Sequence, residues 1–114
     1  MEVDTSRGCP SIVNDGDLVD QAMRYTAELL GTEKVIDMDQ VTGGRKLAVS
    51  DDFAFVTEKV PGLMANIGAG SPAEGYPFPV HHPRVRFNED ALPIGAAVYA
   101  NMAIEWLKNS RSAD

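Results

Sequence analysis

Two adjacent histidines, His81 and His82, sit between Pro79 and Pro83 in the stretch Phe78-Pro79-Val80-His81-His82-Pro83-Arg84-Val85-Arg86-Phe87-Asn88-Glu89-Asp90. They are the only imidazoles in the chain. Imidazole is the commonest metal ligand and a frequent general acid or base. Paired carboxylates that could share a cleft with it stand at Asp51 and Asp52. The competing reading is a surface loop whose histidines do nothing but solvate. A metal site wants three or four ligands at fixed geometry, and the sequence has no HxxxH, CxxC or HExxH spacing. Spacing alone suggests the chemistry and leaves both readings open.

A proline on each side restricts the preceding residue to extended or polyproline-like backbone. The imidazoles are therefore expected on a stiff extended loop, with successive side chains on opposite sides. One histidine could then face a site while the other faces away. Asn88-Glu89-Asp90 supplies a capping residue and two carboxylates at the positive end of the helix that follows.

Phe78 to Leu107 resembles the C-terminal signature of the aminoacylase-like metallopeptidases, in particular the hippurate hydrolase and auxin-conjugate amidohydrolase branch. Further landmarks follow that family's order: Pro10-Ser11-Ile12-Val13-Asn14-Asp15, Val49-Ser50-Asp51-Asp52-Phe53-Ala54-Phe55, Val60-Pro61-Gly62 and Ile67-Gly68-Ala69-Gly70. The resemblance implies two divalent metals, zinc or manganese, held between both halves of a catalytic domain. It places the last metal ligand at His81. The following position, here His82, varies in the family and is not expected to be a ligand. Asp51, Asp52, Gly68, Gly70 and His82 become candidates for lining the substrate pocket or supporting the ligands. The other ligands and the glutamate general base lie, in that family, in an N-terminal half that these residues do not include. No metal is therefore expected on this chain by itself, and no catalytic residue is assigned to it.

The 114 residues carry a net charge of −7. That balance argues against nucleic acid, because phosphate binding needs clustered Lys and Arg. No apolar run of about eighteen residues offers a membrane span. The first ten residues lack the basic and apolar regions of a signal peptide. A single cysteine excludes an internal disulfide and fits a reducing cytoplasm. Cys9 could invite a ligand reading, but Arg7-Gly8-Cys9-Pro10 lacks the histidine and aspartate of the family's cysteine motif, so an inert thiol is expected.

The positioning elements follow from periodicity and breakers. Asp17 and Asp20 are spaced like a capping box. Leu18, Ala22, Met23, Thr26, Leu29 and Leu30 then recur at helical spacing up to Gly31. Val35-Ile36-Asp37-Met38 reads as a short strand, and strand fragments are expected at Glu2-Val3-Asp4-Thr5 and Ser11-Ile12-Val13. Gly43-Gly44-Arg45-Lys46 reads as a loop, lacking the rest of a phosphate-binding motif. Ser50-Asp51-Asp52 should cap a helix through Phe53, Phe55 and Val56 that ends before Pro61. Gly62-Leu63-Met64-Ala65-Asn66-Ile67 reads as a buried strand. The Gly68-Ala69-Gly70 loop lacks the third glycine of a dinucleotide fingerprint. A last helix, rich in small residues, is expected to begin at Pro93.

These elements predict an α/β class, a partial mixed sheet covered by helices. By the resemblance it is the C-terminal half of a zinc-peptidase-like catalytic domain. Residues 1–14 would return from a lid domain, 15–109 would form the catalytic part, and 110–114 would fray. The function expected is that of the C-terminal part of a metal-dependent amidohydrolase cleaving N-acyl amino acids. A small-molecule substrate, the N-terminal catalytic half and a possible second copy would be its partners. The alternative is an inactive remnant, or the non-catalytic half of a split enzyme.

Overall fold

Helix α1, Gly16–Leu30, begins where Asp15 presents its carboxylate to the Leu18 N–H at 3.0 Å. The cap thus sits two residues before the expected Asp17. Gly31, with φ of 100°, closes the helix by donating its N–H to the Ala27 carbonyl. Ala22 and Tyr25 are the buried residues of this helix. They are three apart, the spacing that puts side chains on one helical face. The computed structural model describes residues 8–43 and 50–111. They divide between two compact units, Met1–Met64 and Ala65–Asp114.

Residues 35–37 do not form a strand. The Asp37 carboxylate instead accepts the Asp39 N–H at 2.9 Å and caps a short helix, α2, Met38–Thr42. A four-residue stretch with three apolar residues carries too little periodicity to separate strand from helix. Here the capping aspartate decided it. Gly43, left-handed at φ of 64°, ends α2. The expected strand at Glu2–Thr5 and the Gly44-Arg45-Lys46 part of the loop lie outside the described residues.

The expected mixed sheet is not present among the described residues. The sole pairing is an isolated antiparallel bridge between Ser11 and Ser50. Gly62 to Ile67, expected as a strand, runs without a ladder. In the first unit its backbone groups find other partners. The Asn14 side-chain amide both donates to the Met64 carbonyl (3.1 Å) and accepts the Met64 N–H (2.8 Å). The Asp15 N–H donates to the Gly62 carbonyl at 2.9 Å. A side-chain amide carries the same donor and acceptor as a peptide group. Asn14 therefore takes the place of a neighbouring strand at one residue, and no sheet is built.

Helix α3, Ala54–Thr57, is a single turn preceded by Asp51, whose carboxylate accepts the Phe53 N–H at 2.9 Å. Ala54 is fully buried. In the second unit α4 runs from Ala91 to Arg111. It starts two residues before Pro93, which fits because the first-turn N–H groups have no partner inside a helix. The Asn88 carbonyl and carboxamide receive the Ala91 and Asp90 N–H groups. Ser110 and Arg111 close this helix, while 112–114 lie outside the described residues. Among the described residues Ala22, Tyr25 and Ala54 form the buried apolar set, and all three belong to the first unit.

Candidate functional site

The loop bearing both histidines is a chain of tight turns. The His82 N–H donates to the Pro79 carbonyl at 3.1 Å, and the Val85 N–H to the His82 carbonyl at 3.0 Å. His81 occupies the third position of the first turn with φ of 72°. It is the only non-glycine residue with positive φ among those described. A four-residue turn with only its third residue at positive φ has the signature of type II. The extended backbone expected from the two prolines is therefore broken between them. Pro79 and Pro83 constrain the residues before them, Phe78 and His82, and leave Val80 and His81 free to turn.

The cost falls on His81. A left-handed backbone places Cβ near the following carbonyl oxygen and costs an L-residue about 1–2 kcal/mol. Histidine is among the side chains that tolerate this region best, though glycine would hold it without strain. The His81 side chain is exposed and has no hydrogen-bond partner among the described residues.

His82 is engaged differently. Its Nδ1 accepts the Arg84 backbone N–H at 3.0 Å. Its ring stacks on Phe78, with centroids 4.3 Å apart and planes inclined by 12°. The Arg84 guanidinium carbon lies 4.7 Å from the centre of the same Phe78 ring. Accepting the Arg84 N–H occupies Nδ1 within the loop, so His82 is engaged by its own neighbours where His81 is not.

The remaining candidates divide. Gly70, at φ of 109°, leaves room for the Tyr76 ring, whose nearest atom would lie 2.5 Å from an added Cβ. Gly68 is exposed with nothing near an added Cβ. The Ala69 carbonyl between them accepts the Asn88 N–H at 2.9 Å, tying this loop to the start of α4. Beside that tie an open groove of about 580 Å³ is lined by Ile67, Phe87, Leu92 and Gly95, among others. Asp51 and Asp52 belong to the first unit. Asp51 is half-buried and occupied in capping, whereas Asp52 is exposed. Cys9 is an exposed free thiol.

A divalent metal needs several of these side chains to converge, and among the described residues no three His, Cys, Asp or Glu groups do so. The described residues do not by themselves make a metal site. Phe78 and Arg84 are the participants that residue types alone did not reveal. The signal available was an aromatic four residues before His82 and an arginine two after it.

The turn-borne histidine, the glycine loop and the capped final helix occur in a chain that belongs to peptidase family M20/M25/M40, whose model matches residues 1–105. The aminoacylase-like resemblance is thereby established at the level of family. The chain is 37% identical to IAA-amino acid hydrolase ILR1-like 2 of Arabidopsis thaliana over 90% of its own length and 22% of that protein's. It is 30% identical to N-acetylcysteine deacetylase of Bacillus subtilis, over 83% of its length and 22% of that protein's. With thermostable carboxypeptidase 2 of Saccharolobus solfataricus the identity is 26%, over 85% and 22% respectively. The chain spans about a fifth of the length of these relatives. No helix among the described residues is long and apolar enough to cross a membrane.

Proposed function

We propose that this chain is the C-terminal part of a metal-dependent amidohydrolase that cleaves the amide bond of N-acyl amino acids, and that His81 is its contribution to the metal centre. The observation that carries this reading is the His81 turn. An exposed imidazole, without a hydrogen-bond partner among the described residues, is held at a backbone angle that costs free energy. Such strain persists where the surroundings impose it, most often at ligand-binding and catalytic positions. The names of the matched relatives, a hydrolase of IAA-amino acids and a deacetylase of N-acetylcysteine, fit the same bond type. When bound, divalent metals activate water and stabilise the developing oxyanion. This chain's part is limited to presenting one imidazole. The general base and other ligands are assigned to the remaining four-fifths of the family fold.

The test is reconstitution with a fragment supplying the rest of the Arabidopsis relative, followed by assay on an indole-acetyl amino acid. His81→Ala is expected to abolish hydrolysis while His82→Ala reduces it less. Equal losses, or activity that survives His81→Ala, would reject His81 as the ligand. Purified alone, the chain is expected to hold no stoichiometric metal, and elemental analysis finding tightly held zinc or manganese would contradict that.

A further inference from the structure

We propose that Phe78, His82 and Arg84 form a positioning device for the His81 turn, with His82 acting as a positioning residue. The proposal rests on the reading of His81 as a metal ligand and specifies what holds that ligand in place. Three contacts bear on the residues around His81. The Phe78–His82 stack joins the residue before the turn to its last residue, closing the loop over Pro79, Val80 and His81. The Arg84 N–H fixes the rotation of the His82 ring through Nδ1. The Arg84 guanidinium lies against the Phe78 ring, so backbone and side chain of one residue engage both members of the stack.

The arrangement has a physical logic. Stacked aromatic pairs and cation–π contacts are each favourable. Pro79 and Pro83 remove much of the backbone freedom that the stack would otherwise have to freeze. The contacts can then offset the left-handed cost at His81 without touching its ring. Both nitrogens of His81 stay available, while His82 is committed to the protein. Adjacent histidines thus have different duties, one presented and one holding.

Nuclear magnetic resonance on the metal-free 114-residue chain tests this directly. A positive φ brings the amide and α protons of one residue close together, so His81 should give a strong intraresidue Overhauser cross-peak. Phe78→Leu removes both ring contacts and is expected to reduce that cross-peak to the level of its extended neighbours. His82→Phe keeps the stack and should preserve most of it. Unchanged α1 and α4 amide signals would show that the variants fold. A titration with zinc in large excess, followed at the imidazole nitrogens, reads the weak binding of a lone imidazole as a separate readout. His81 should respond in the unmodified chain, about five- to tenfold more weakly in Phe78→Leu, consistent with the strength of one aromatic pair. His82→Phe should stay within about twofold of the unmodified chain. A full His81 cross-peak in Phe78→Leu would overturn the positioning role even if zinc still binds. Activity that survives His81→Ala in the reconstituted enzyme would overturn the ligand reading, even where the turn depends on Phe78 as expected.

Discussion

Helix α1 in the first unit and the longer, more apolar helix α4 in the second end up with different surroundings. α1 buries Ala22 and Tyr25, the latter only 3% exposed, and keeps Asp20, Arg24 and Glu28 in solvent. α4 leaves Leu92, Tyr99, Ile104 and Leu107 all more than half exposed. A helix apolar on several faces is typical of one enclosed by a larger protein. Among the described residues the first unit has a small core of its own, whereas the second is held by turns, caps, stacked side chains and the Ala69–Asn88 tie. Local bonds suffice to shape the His81 turn without a core beneath it.

The largest effect that could break this contrast is at Tyr25. Tyr25→Ala removes a buried aromatic and is expected to lower stability by about 3–5 kcal/mol in urea unfolding. A loss below about 1 kcal/mol would show that α1 is no better packed than α4. Asn14→Ala removes both hydrogen bonds to Met64 and should cost about 1–2 kcal/mol, since a typical intramolecular hydrogen bond contributes about 1. Asp15→Ala, which strips the α1 cap, should cost about 1 kcal/mol. Tyr99→Ala lies at the other extreme, because the side chain is 83% exposed. It should change stability by no more than about 0.5 kcal/mol in the same assay.

Helices α1, α3 and α4 were legible in the sequence because their signals are local, whereas α2 was read as a strand. Gly31 stops α1 as expected, and Asn88 caps the start of α4. The caps slipped by two residues at Asp15, where three aspartates crowd within six positions and any could serve. The sheet was misread for a different reason. A strand needs a neighbour, and apolar alternation cannot say whether one exists. Gly62 and Met64 found Asp15 and Asn14 instead, fifty residues away for the Asn14–Met64 pair. At the site, residue type picked out both histidines, and only the family resemblance set His81 apart from His82. It could not foresee the left-handed turn, since flanking prolines argue for extended backbone at the residues before them and are silent about Val80 and His81. The stack on Phe78 was likewise hidden, because it forms only once that turn brings residues 78 and 82 together.

His81→Asn in the reconstituted enzyme is the sharpest single measurement. Asparagine tolerates left-handed backbone, so the substitution spares the turn and removes only the imidazole. Amide hydrolysis should disappear while the stability of the chain stays within about 0.5 kcal/mol of the original. Hydrolysis that persists with asparagine at this position would show that the strained histidine serves the turn alone, and the metal centre would have to take its ligand from elsewhere.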